Sequence, residues 1–193
     1  MPASSTRNLI VETADDLFYE GGFEATSFAH IAAAVGISRG NFYHHFKTKD
    51  DMLDAVIARR VKRTHAMLDG WQADGDGPRE RILSFVHMLV ANRAKIMAFG
   101  CPVGTLCCEL AKLDHVAQDR AAEIFGLFRD WLTGQFQALG AGDRAEALAL
   151  HLLVRSQGVA VMATAFRDDS FIRSEVAGIE HWLTTLPDIS PSR

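Results

Sequence analysis

Gly36 lies between two short apolar stripes, and its position constrains this chain more than that of any other residue. Before it, Phe28, Ile31, Ala32 and Val35 recur at helical spacing behind Thr26 and Ser27, either of which can cap a helix start. After it, Ser38 can cap a second short helix that carries Phe42 and Phe46 on one side. A glycine that closes one helix just before the next cap predicts two short helices crossing at a tight turn.

Nearly everything else also reads as helix. Ile10, Ala14, Leu17 and Phe18 form the apolar face of a first helix, which Gly21-Gly22 stops. Thr48 with Asp51 three residues on resembles a capping box opening a fourth helix. That helix buries Leu53, Val56, Ile57 and Leu68 and is expected to end near Asp69. The stretch Ala73-Asp-Gly-Asp-Gly-Pro78 is the clearest break, with Pro78 suited to the next first turn. A core helix follows at Ile82, Phe85, Val86, Leu89 and Val90, interrupted by Gly100-Cys-Pro-Val-Gly104. A short helix is expected from Thr105 to Leu113. Another carries Ile124, Leu127, Phe128 and Trp131 and is closed by Gly140-Ala-Gly142. The last two are expected at about 143–167 and 171–186, with Pro187 as the stop. No alternating strand pattern and no repeat occurs, so the fold class is all-α.

Bulk properties exclude several classes. The chain has 193 residues, 48% of them hydrophobic, enough for a real core. No apolar run approaches the roughly 20 residues that span a bilayer. Met1-Pro-Ala-Ser-Ser-Thr-Arg7 lacks the hydrophobic middle of a secretory signal. A soluble cytoplasmic protein with no membrane contact is expected. Cys101, Cys107 and Cys108 are odd in number and lack zinc spacing, which suggests reduced thiols. A calcium loop beginning at Asp74 fails because its closing position is Phe85. His44 and His45, adjacent on a helix, point about 100° apart and make a poor metal pair. Neither metal nor cofactor is expected.

Charge location matters more than the net charge of −4. Residues 1–63 are neutral, but the acids Glu12, Asp15, Asp16, Glu20 and Glu24 come early in that stretch. The bases Arg39, Lys47, Lys49, Arg59, Arg60, Lys62 and Arg63 come later. The last four of these read as a solvated face. A local basic surface on a mildly acidic chain fits a sequence-selective DNA binder better than a nonspecific coat.

The third helix has the residues for that task. With Phe42 and Phe46 inward, Gly40, Tyr43 and His44 fall on the opposite side. Glycine on an exposed helical face costs about 1 kcal/mol and makes sense where backbone must approach another surface closely. Arg39 and Asn41 suit guanine and adenine edges, and Tyr43 and His44 suit sugar, thymine methyl and phosphate. Lys47, Lys49 and the N–H groups opening the fourth helix would form a phosphate clamp.

The stretch Ile31-Ala-Ala-Ala-Val-Gly-Ile-Ser-Arg-Gly-Asn-Phe-Tyr-His-His-Phe-Lys-Thr-Lys49 resembles the N-terminal helix-turn-helix of the tetracycline-repressor (TetR) family. The resemblance is strong over about residues 7–60. Val35 and Phe42 are packing variants, standing where Ala and Leu are commoner. The resemblance implies an N-terminal three-helix DNA-binding domain at 1–48, a connecting helix at 49–69, and a C-terminal ligand-sensing and dimerisation domain at 70–193. It implies operator contacts by Ser27, Arg39, Asn41, Tyr43, His44 and Lys49, with His45 and Lys47 on the DNA backbone. The partners implied are double-stranded operator DNA, a small-molecule effector and a second copy of the chain. The copies would pair through the last two long helices, the first of which is apolar on more than one face.

Effector contacts are expected among the bulky residues Trp71, His87, Phe99, Phe125, Phe128 and Trp131. Cys101 lies in a Gly-Cys-x-x-Gly-x-Leu segment that resembles one in a subset of these regulators. It is a candidate for sensing electrophiles or oxidants at a helix end, against plain core filling. No cluster of Arg or Lys is expected on these helices, which favours an apolar or aromatic effector over a multiply charged one. Two rival readings are a cysteine enzyme pairing Cys101 with His115 or His87, and a protein-binding helical module without DNA affinity. The first lacks a base-orienting acid at any recognisable spacing, so no enzyme is expected.

Overall fold

The computed structural model describes residues 3–186. Among them are helices α1 (Ala3–Gly21), α2 (Phe28–Val35), α3 (Arg39–His45), α4 (Lys49–Asp74) and α5 (Pro78–Ala91). Then come α6 (Arg93–Phe99), α7 (Pro102–Lys112), α8 (Gln118–Ala138), α9 (Ala145–Phe166) and α10 (Asp169–Thr185). No strand occurs among the described residues, and the fold is all-α as expected. Packing divides the described residues into two compact units: 3–63 with 105–124, and 64–104 with 125–186. Helices α4, α7 and α8 each have residues in both.

Local chemistry sets most helix ends in the first unit. Ser27 and Ser38 cap α2 and α3, accepting from the His30 and Asn41 N–H groups at 3.2 Å each. The capping box is reciprocal: the Asp51 N–H donates to Thr48 Oγ1 at 3.0 Å, and the Thr48 N–H donates to the Asp51 carboxylate at 3.1 Å. Thr26 does not cap α2. It is buried, and its hydroxyl donates to the Gly22 carbonyl at 2.7 Å. The core joins Ile10, Ala14 and Phe18 of α1 to Ile31, Phe42, Phe46, Leu53, Val56 and Ile57, with Leu106, Leu110 and Ala121 closing it.

The expected solvated face needs correction at Arg59 and Arg60, while Lys62 and Arg63 are exposed as expected. Arg60 is buried, and its Nε lies 2.6 Å from the carboxylate of Asp15 on α1. Arg59 pairs with Glu12 at 2.6 Å and lies 3.7 Å from Asp15. Glu12 and Asp15 are thus partners of Arg59 and Arg60, and these pairs fasten α1 to α4.

The second unit differs from expectation at three helix ends. Helix α4 continues through Gly70 to Asp74, because one glycine costs only about 1 kcal/mol and does not stop a long helix. A break at Asn92 separates α5 from α6. Helix α7 begins earlier than expected, at Pro102. Further on, Asp168 caps α10 by accepting from the Ser170 N–H at 2.8 Å. A hydrogen bond from Arg173, helped by the charges of Arg173 and Arg93, holds the Asp169 carboxyl below its ordinary range. The expected stop at Pro187 lies outside the described residues.

Two stretches match a bilayer in length and composition, 93–112 and 142–166. The first is two helices broken at Gly100, and the inner face of the second packs Leu152, Val159 and Ala163 into the core of its unit.

Removing one partner of a buried ion pair leaves the other charge uncompensated. Asp15→Ala is therefore expected to destabilise the protein by about 3–5 kcal/mol in urea unfolding. Asp15→Ala with Arg60→Met should recover part of that loss, because no lone charge then remains buried.

Candidate nucleic-acid interface

Helix α3 is only seven residues long, too short to persist without tertiary anchors. Its anchors are Phe42 and Phe46, both buried, with the Phe42 ring centroid 4.6 Å from that of Phe28 on α2. The turn before it is fixed by Gly36 in the left-handed region, at φ 76° and ψ 32°. The Gly36 and Ile37 N–H groups donate to the Ala33 and Ala32 carbonyls at 3.1 and 3.0 Å. A side chain at 36 would be strained there, which explains why glycine occupies this position.

With Phe42 inward, Arg39, Gly40, Asn41, Tyr43 and His44 are all exposed. Among the described residues, the side chains of Arg39, Asn41 and His44 have no intrachain partner. Tyr43 is 47% exposed, and its ring meets Phe28 edge-on at 5.7 Å. A Cβ at Gly40 would meet no atom of the chain nearer than Ser38 Oγ at 3.9 Å. Packing within the protein therefore does not require glycine here. His45 is half-buried at the end of α3. Ser27 is exposed, and with its oxygen accepting from His30 its hydroxyl proton remains available to donate.

The two lysines behave differently from a simple clamp. Lys47 Nζ donates to the Tyr43 carbonyl, an exposed contact that DNA could replace. Lys49 is half-buried: its Nζ donates to the Glu24 carbonyl at 2.8 Å and lies 4.6 Å from the Phe23 ring centroid. Asp50 and Asp51 stand in the first turn of α4, which makes that helix start a poor anion site. Arg7 on α1, 4.8 Å from the Phe46 ring centroid, brings another cation beside the end of α3. Nothing in the local pattern links position 7 to position 46, and the sequence reading did not include it.

The α1–α2 loop is held by a residue far away in sequence. The Phe23 and Glu24 N–H groups donate to the two carboxylate oxygens of Glu109 on α7, at 2.9 and 2.8 Å. Gly22, at φ 90°, permits this approach, since a Cβ there would come within 3.0 Å of Glu109 Oε1. His115 adds a ring contact with Phe23 at 5.5 Å and lies 3.4 Å from the Asp50 carboxylate.

The candidate effector residues belong to the second unit. Trp71 and Trp131 have ring centroids 5.7 Å apart, Trp71 lies 6.5 Å from Phe85, and Phe85 lies 5.6 Å from Phe128. His87 is exposed and pairs with Glu180 at 2.6 Å. Phe99 ends α6, Cys101 precedes α7 and Phe125 lies on α8, all three half-buried. Cys101 Sγ accepts from the Gly104 N–H at 3.4 Å. Among the described residues, no group of three or more His, Cys, Asp or Glu side chains could hold a metal ion.

Comparison with known proteins agrees with this geometry. The family described as bacterial regulatory proteins, tetR family, matches residues 10–56. An HTH-type transcriptional regulator in the lacX 3′ region of Lactococcus lactis subsp. lactis is 25% identical, over 88% of this chain and 89% of that protein. The HTH-type transcriptional regulator UidR of Escherichia coli (strain K12) is 33% identical over 51% of this chain and 53% of its own length, so the match spans about half of that relative. The crystal structure of a TetR transcriptional regulator from Legionella pneumophila has the same fold, with a TM-score of 0.81, 24% identity, and coverage of 95% of this chain and 98% of that one.

Glu109→Ala would strip the acceptor from two N–H groups, that of buried Phe23 among them. The expected loss is about 1–3 kcal/mol of stability by urea unfolding. Glu109→Gln, which keeps one acceptor oxygen, should lose less.

Proposed function

Because this chain belongs to the tetR family of bacterial regulatory proteins and is a ligand-responsive DNA-binding transcriptional regulator, we propose that it is a repressor that reads its operator with α3. Arg39 donates to a guanine edge and Asn41 pairs with adenine, while Tyr43 and His44 contact sugar and phosphate. Ser27, His45, Lys47 and Lys49 contact the DNA backbone. The observation that carries this reading is Gly40, a helical glycine on an exposed face where a side chain would meet nothing closer than Ser38 Oγ at 3.9 Å. It lets the α3 backbone come close to the groove floor.

Two copies would place their α3 helices in successive major grooves about 34 Å apart. Support for pairing comes from α9, where Leu150, Val154 and Val161 form an exposed stripe, with Gly158 on the same side. Helix α10 shows a more polar surface, including Arg173, Ser174 and His181, so apolar contact would centre on α9. An effector bound in the second unit favours a conformation whose two α3 helices no longer match the operator. A coupling of about 1–3 kcal/mol changes operator affinity by about 5–150-fold. The aromatic cluster around Trp71 and Trp131 favours an apolar or aromatic effector. The protein is expected to work in the cytoplasm, where the operator is.

Gly40→Ala tests the reading face, because its two effects oppose each other. Stability should rise by up to about 1 kcal/mol, since alanine is the better helix former. Affinity for a genomic operator fragment, measured by fluorescence anisotropy, should fall about tenfold or more. An unchanged affinity would remove α3 from the interface. For the pairing surface, Val154→Glu should sediment as a monomer and lose about a hundredfold in operator affinity as the second half-site contact disappears.

A further inference from the structure

The second unit contains two buried polar atoms that its own residues leave unmatched. Phe128, Trp131 and Gln135 recur on one face of α8, opposite Trp71 and Gln72 of α4 and Phe85 of α5. Trp131 Nε1 and Gln135 Oε1 are both shielded from solvent, and among the described residues neither has a hydrogen-bond partner. Gln135 is only 7% exposed. Its amide nitrogen donates to Gln72 Oε1 at 2.9 Å, and its oxygen is left unmatched. Buried donors and acceptors are nearly always satisfied, and an unmatched one destabilises the fold. Here one donor and one acceptor, a single helical turn apart, lie beside a wall of aromatic rings.

We propose that this cluster binds a flat, uncharged aromatic molecule bearing a hydroxyl group. The hydroxyl oxygen accepts from Trp131 Nε1–H, and its proton is donated to Gln135 Oε1. The ring packs against Trp71, Phe85 and Phe128. One hydroxyl supplies both missing partners, which neither a hydrocarbon nor an ether does. No formal charge stands among these six side chains, so the ligand is neutral. Trp71 and Trp131 are half-buried and Gln72 is exposed, so the edge of the cluster lies at the surface. The inference rests on the effector reading above and adds to it the chemistry recognised.

The test is calorimetric titration of the full-length protein, without DNA, using 2-naphthol, 2-methoxynaphthalene and naphthalene. Wild type is expected to bind 2-naphthol about tenfold more tightly than 2-methoxynaphthalene, which can accept but not donate. Gln135→Leu should abolish that preference and leave naphthalene binding unchanged. Trp131→Phe should weaken both oxygen-bearing ligands relative to naphthalene. Gln135→Leu should melt close to wild type, since the unmatched oxygen leaves with the amide. Trp131→Phe also gives up ring volume and should melt somewhat lower. Either one alone suffices if the other fails to fold. Failure of 2-naphthol to bind, or equal preference in wild type and Gln135→Leu, would overturn the proposal. Release of an operator fragment is measured separately. Hydroxyl-dependent binding without release would uphold this site and refute the effector-controlled repressor.

Discussion

The burial of Phe42 is the constraint on which the outward face of α3 depends. A helix of seven residues has no stability of its own, so the side it shows to solvent is decided by the side chain it can bury. Phe42 is fully buried against Phe28, with Phe46 one turn later, and this fixes the rotation of α3 about its axis. Arg39, Asn41 and His44 point outward for that reason and not through contacts of their own. Gly36 sets the angle at which α3 leaves α2. The polar residues could change with little effect on this frame, whereas the phenylalanines could not.

Features that act over three or four residues were legible in the sequence. The Ser27 and Ser38 caps, the left-handed glycine and the reciprocal pair of Thr48 and Asp51 each depend on residue types at a fixed short spacing. Contacts that join distant segments were not. Asp15 and Arg60 lie 45 residues apart, and Glu109 lies 86 residues from the Phe23 N–H it accepts from. Charge counting gave Arg60 to solvent and passed over Glu109, because periodicity shows which face of a helix is apolar but not which neighbour covers the polar edge. For the same reason Lys49 read as a phosphate contact, although its surroundings also tie it to the α1–α2 loop.

The two units differ in how much their residue types reveal. DNA presents a regular polyanion and a fixed pattern of base edges, so the residues suited to it form a recognisable set. A small molecule imposes no such pattern. The aromatic residues of the second unit are the same types that fill any helical core, and only unmatched polar atoms such as Trp131 Nε1 and Gln135 Oε1 set this cluster apart. Gln135 could not be singled out from sequence, since a glutamine on a helix is ordinarily a solvated residue.

The Asp15 cluster has a consequence for how such a protein searches a chromosome. Arg59 and Arg60 are engaged by carboxylates of the same chain and release no counterions from DNA. Attraction to arbitrary sequence comes from that release, so a protein that neutralises its own cations dwells only briefly on the wrong sites. Its time is then divided according to base contacts more than total charge.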